Sequence, residues 1–133
     1  MITTEISYRV LYAHTDKMGI VNNARYFEYF EAGRGDMLRK IGYAYKDMEQ
    51  KNIALPLIEA YCKYIGTAKY DDILVVKCFM KNIPTVKTRI DYEIFVDGKL
   101  IATGFTVHSF VDLIKIKPVR PPKDFIELIK TYF

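Results

Sequence analysis

Two titratable side chains, His14 and Asp16, stand close together in the segment HTDKMGIVNN, from His14 to Asn23. Gly19 lets such a segment bend sharply. A helical spacing begins at Asn23, so Asp16 lies seven residues before a helix start. The first amides of a helix have no partner inside it and carry partial positive charge. A carboxylate on one side and free amides on the other is an arrangement for acyl transfer. The amides hold the oxygen that turns negative in a tetrahedral intermediate. The carboxylate activates water or attacks the carbonyl itself. The same spacing fits a plainer role, in which Asp16 caps the loop or offsets the helix dipole. His14 either holds a proton beside it or caps the preceding strand. No Ser/His/Asp set, HExxH, Walker loop or GxGxxG with a following acid is present. The two histidines, His14 and His108, do not build a metal site alone, and His108 reads as a satisfied mid-strand residue. No metal and no separate cofactor is expected.

The elements that must position this loop follow from periodicity. Ile6, Tyr8, Val10 and Tyr12 alternate with Ser7 and Arg9, which predicts a strand. Tyr26, Phe30, Gly33, Met37 and Ile41 step by three or four and predict a helix from Asn23 to about Ile41. Asn22 or Asn23 is its expected N-cap and Gly42 its stop. The polar stretch Tyr45 to Asn52 extends the helical region. Leu57 to Ile65 and Ile73 to Met80 read as strands, and Asn82 to Thr85, with Pro84, as a turn. Val86, Thr88, Ile90, Tyr92, Ile94 and Val96 then share one face. Asp97-Gly98 is a two-residue hairpin signal. Leu100 to Leu113 returns as the last strand, Pro118, Pro121 and Pro122 end the sheet, and Asp124 caps a short terminal helix. The fold class is α+β: four sequential antiparallel strands joined by the first make a five-stranded sheet, wrapped around one long central helix. The open edges of such a sheet favour pairing in a dimer.

Composition sets bounds. A chain of 133 residues is read as one domain, 1–133. Half the residues are apolar and 27% are charged, which excludes a disordered tail or a collagen. Apolar runs such as Ile73 to Val76 fall far short of the roughly 20 residues a membrane span needs. The net charge of +4 is spread among interleaved acids. Its only basic-leaning stretch, Lys115, Lys117, Arg120 and Lys123, is no nucleic-acid arm. Cys62 and Cys78 sit in apolar runs without metal-ligand spacing and read as free thiols of a reducing compartment. MITTEISYRV is no signal peptide, so the expected location is the cytoplasm.

The run YAHTDKMGIVNNARYFEYFEAGR, Tyr12 to Arg34, resembles the signature of hotdog-fold acyl-CoA thioesterases of the 4-hydroxybenzoyl-CoA thioesterase and YbgC type. Tyr12, Thr15, Asp16, Gly19, Val21, Ala24 and Tyr26 match in place, and Glu31 and Arg34 fit the helix that follows. IEAYCKYIGTAKYDDILVV is similar to the family's strand, crossing and acidic strand start. The likeness spans about Ile6 to Pro122. It implies that Asp16 is the catalytic acid and that the Asn23 amide, or a neighbour, binds the thioester oxygen. It implies a homodimer or homotetramer with the acyl pocket between subunits and the coenzyme A nucleotide near the surface. Coenzyme A enters as part of the substrate, and no metal is required. Gly19 and Val21 join the substrate-binding loop. Tyr26 and Tyr61 line the acyl pocket or serve as plain core aromatics. Lys69, Thr85 and Lys87 meet the coenzyme A phosphates and pantetheine or are solvated surface.

The chain departs from the family at three places. Asn23 stands where many members carry histidine, and Asn22 where many carry tyrosine. A backbone amide survives either change. His14 replaces the usual acid two residues before Asp16, which shifts the pH profile expected of Asp16. The expected activity is hydrolysis of a small-to-medium acyl-CoA. The rival from another class is a non-catalytic acyl-CoA binder or sensor. A hotdog dehydratase would need a histidine facing an acid, and no matching pattern is present.

Overall fold

Alternate residues of Ile2–Arg9 turn inward, and this segment forms strand β1 in the computed structural model, which describes residues 1–133. The strand ends earlier than the alternation predicts, because Tyr12–His14 closes into a single 3-10 turn. Helix α1 spans Arg25–Lys40 and helix α2 Tyr45–Gln50. The strands β2 (Ile53–Ala54), β3 (Leu57–Tyr64), β4 (Ile73–Met80), β5 (Lys87–Val96), β6 (Lys99–Ser109), β7 (Val111–Asp112) and β8 (Lys117–Pro118) follow, then helix α3, Lys123–Lys130.

The main sheet is five-stranded and antiparallel, in the order β1-β4-β5-β6-β3. The four strands expected in simple sequence are therefore rearranged. Tight connections keep β4, β5 and β6 adjacent, and the β5–β6 hairpin turns at Asp97 (φ +49°) and Gly98 (φ +75°). β3 instead pairs with β6. Its link to β4 crosses the sheet end: Ile65 and Gly66 donate to the Ile101 carbonyl, and Asp71 donates to that of Val10.

A second, small sheet, β2-β7-β8, was not legible in the pattern. The expected last strand, Leu100 to Leu113, breaks at Phe110, which is fully buried against Phe125 with ring centroids 5.4 Å apart. That turns Val111–Asp112 out to pair with β2 and β8. Pro118 belongs to the edge strand β8, where a missing N–H costs no ladder bond, and does not end the sheet. Val86 lies outside β5 and is exposed, against the expectation that it shares the inner face.

The helix starts also differ in detail. α1 begins at Arg25, because the Asn22 side chain accepts from the Ala24 amide at 3.0 Å and the Asn22 carbonyl from that of Arg25. Asn22 thus caps the turn that leads into the helix, and neither asparagine is the N-cap. Asp124 sits inside the first turn of α3, taking the Phe125 amide and the Tyr43 hydroxyl, and pairs with Lys51.

α1 lies flush on the sheet at Gly33. A methyl there would stand 2.6 Å from Cys78 Sγ and 3.0 Å from Val76 Cγ1, both on β4. Phe30 stacks on Tyr92 of β5 at 4.3 Å between centroids. Each large apolar side chain so buried stabilises by about 1.5–3 kcal/mol. Cys78 is buried and Cys62 half-buried, both as free thiols. No helix is long and apolar enough to cross a membrane.

Candidate active site

The segment from His14 to Asn22 folds back on itself as a short hairpin. Asn22 donates to the His14 carbonyl at 2.9 Å, Thr15 bridges Val21, and Asp16 donates to the Ile20 carbonyl at 2.9 Å. Gly19, at φ +79°, makes the reversal and donates to the Asp16 carbonyl at 3.0 Å. The hairpin is tied to the β3–β4 link, because Val21 donates to Ala68 and Ile20 bridges Lys69.

His14 anchors this loop from below. It is buried, and the Tyr29 hydroxyl of α1 lies 3.0 Å from its Nδ1. The Leu11 amide also addresses Nδ1, at 3.5 Å. Both are donors, so in the neutral ring Nδ1 accepts and Nε2 carries the proton. Burial pushes the Tyr29 phenol well above its ordinary value, which keeps it a donor.

Asp16 is exposed, and its Oδ1 accepts the Met18 amide at 2.8 Å. Within one chain the carboxylate therefore caps the loop; Oδ2 takes no bond. At the helix entrance the amides of Asn22, Ala24, Arg25 and Tyr26 are each engaged. The amide of Asn23 makes no hydrogen bond, and the residue is exposed. Its carbonyl accepts the Tyr64 hydroxyl of β3 at 2.8 Å. A cavity of about 460 Å³ opens beside this entrance, lined by Ala13, Thr15, Asn22, Ala24, Arg25 and Glu28. Asp16 does not line it. No group of three or more His, Cys, Asp or Glu side chains converges to hold a metal.

Residues 10–129 match the model of the thioesterase-like superfamily. The chain belongs to that superfamily. The resemblance read from Tyr12 to Arg34 is borne out. The chain is 34% identical over 122 residues to a candidate esterase of Aquifex aeolicus, covering 92% of this chain and 94% of that one. It is 28% identical over 117 residues to the acyl-CoA thioesterase YbgC of Haemophilus influenzae, covering 87% and 86%. Among solved structures it is similar to a DHNA-CoA thioesterase from Staphylococcus aureus, with a TM-score of 0.93, 29% identity and coverage of 99% and 91%.

In this thioesterase-like chain the hairpin carries Asp16, Gly19 and Val21, is bridged to Lys69 through Ile20, and runs directly into Asn23. Tyr26 lies buried nearby, packed edge-on against Tyr29 and Tyr64 as a core aromatic, and burial pushes its phenol up to about 12. Tyr61 is half-exposed and stacks on Phe105, and lines a different cavity. Thr85 and Lys87 are exposed at the opposite end of the sheet, where Lys87 pairs with Ser109. The chain by itself does not bring these three to the loop.

A second cavity of about 460 Å³ lies between α1, β3 and β6, lined in part by Phe27, Glu31, Arg34, Tyr45, Leu55 and His108. Arg34 is buried there; its Nε donates to the Tyr45 hydroxyl at 2.7 Å and its Nη1 to that of Tyr92 at 3.0 Å. Tyr92 meets Thr106 at 2.6 Å, and Thr106 meets His108 Nε2 at 2.9 Å. Burial and the nearby Arg34 charge push His108 down to about 4. The sequence marks Arg34 only as a helix residue of the signature, because its partners lie far away in the chain.

Proposed function

We propose that this thioester hydrolase acts on a small-to-medium acyl-CoA, with Asp16 as general base or nucleophile and the Asn23 amide as oxyanion donor. One observation carries the reading: of the amides from Asn22 to Tyr26, only that of Asn23 is free, at an exposed helix entrance directly after the hairpin that holds Asp16. A thioester carbonyl oxygen placed on that N–H gains most as it becomes an oxyanion. Oδ2 of Asp16 either takes a proton from attacking water or attacks the carbonyl. The C–S bond then breaks, and the thiolate leaves without a strong acid at sulfur; where Asp16 has attacked, water then cleaves the acyl–Asp16 anhydride and restores the carboxylate. His14 keeps the loop in place through Tyr29.

The exposed carboxylate needs a wall, and a second copy supplies it in this reading. β3 is an edge strand that exposes Leu57, Ile58, Tyr61 and Tyr64. Pairing two such edges by antiparallel addition buries these side chains. It gives a homodimer or homotetramer of single hotdog domains, each sheet wrapped around its α1. It also carries the partner's far sheet end, with its Thr85 and Lys87, toward the loop and the coenzyme A.

A panel of short, aromatic and long acyl-CoAs with a thiol-reactive dye tests the activity. Thiol release from at least one is expected. Binding without release across the panel would replace the hydrolase with an acyl-CoA sensor.

A further inference from the structure

We propose that the cavity beside Arg34 receives a carboxylate, the far end of an acyl group derived from a dicarboxylic acid. This rests on the reading of the chain as an acyl-CoA hydrolase. Arg34 is 9% exposed, yet no carboxylate lies within ion-pair distance of it. A buried cation without a counter-ion is costly unless something charged joins it.

The bonds around it run in one direction. Nδ1 of His108 faces the Leu55 carbonyl at 3.3 Å and must donate, so Nε2 accepts from Thr106. Thr106 then accepts from Tyr92, and Tyr92 accepts from Arg34. Every proton in this chain points away from the cavity's cation, and none of its members brings a negative charge.

Two donors are left over. Nη2 of Arg34 makes no hydrogen bond, and Arg34 lines the cavity. The Tyr45 hydroxyl accepts from Arg34 and keeps its own proton free. Two neighbouring donors suit the two oxygens of a carboxylate. Phe27, Leu55 and Leu57 give apolar wall for the methylenes. Of the acids at the rim, Glu28 is neutralised by Arg25 at 3.0 Å, and Glu31 is exposed and screened by water.

Calorimetric titration of the intact protein with glutarate and with glutaramide tests this without any turnover. Glutarate is expected to bind roughly tenfold or more tightly than the neutral diamide, with the preference lost in Arg34→Met and reduced in Tyr45→Phe. Tyr45→Phe keeps the ring and its packing if Arg34→Met fails to fold. Equal binding of the two, or a glutarate preference unchanged in Tyr45→Phe, overturns the proposal. Release of thiol from glutaryl-CoA with a several-fold higher kcat/KM than from valeryl-CoA supports the acyl assignment. Silence on every acyl-CoA with glutarate still bound overturns that assignment and the hydrolase reading, while the carboxylate site stands.

Discussion

The hydroxyl of Tyr29 on α1 stands 3.0 Å from Nδ1 of His14, so the loop that carries Asp16 hangs from the core helix by a buried hydrogen bond. His14 is buried and is the peg of the loop. Tyr29→Phe removes this donor and leaves Nδ1 only the long contact to Leu11. A loss of about 1–2 kcal/mol in unfolding free energy is expected, read from urea denaturation. Tyr12→Phe, at an exposed position, serves as the control and leaves stability within about 0.5 kcal/mol. Equal stability of Tyr29→Phe and the parent would mean that the bond holds nothing.

Asn23 separates side chain from backbone. Its side chain makes no hydrogen bond, so Asn23→Ala keeps the amide and leaves kcat close to that of the parent. Asn23→Pro deletes the N–H without removing any bond of the chain. Loss of one oxyanion donor lowers kcat by about 100-fold or more. Steady-state thiol release on both variants checks this, with circular dichroism to confirm the fold. If the alanine variant fails as badly as the proline one, the side chain and not the amide is at work.

His108 makes stability depend on pH. Its ordinary value near 6.5 is pushed down to about 4 in the folded chain. The unfolded chain therefore binds this proton first as pH falls. The contribution is full above 6.5 and is lost progressively toward 4, at about 3 kcal/mol in all. Denaturant midpoints measured between pH 7 and 4 should fall accordingly, and His108→Gln should flatten the profile over that window. An unchanged slope in the variant would place the acid sensitivity elsewhere.

Long periodic segments were legible in the sequence, and contacts between distant residues were not. The alternation from Thr88 to Ile94 and the helical steps from Tyr26 to Met37 each report a single buried face, so β5 and α1 follow from local spacing. The pairing of β3 with β6 depends on how Ile65 to Asp72 crosses the sheet, which no period encodes. Strands of two residues, such as Val111–Asp112, are too short to carry a pattern. At the site, Asp16, Gly19 and Asn23 stood out because their relationship is local to one loop. Arg34 reaches Tyr92 across 58 positions of chain, so its network is visible only once the helix is laid on the sheet.

Asp16→Asn tests the central claim most directly. The asparagine keeps the side-chain oxygen that accepts from Met18, so the loop cap and fold are retained, and only the charge and basicity are lost. Thiol release should drop by about 100-fold or more while acyl-CoA binding, followed by calorimetry, stays near that of the parent. Hydrolysis at the parent rate by a folded Asp16→Asn variant would contradict the account.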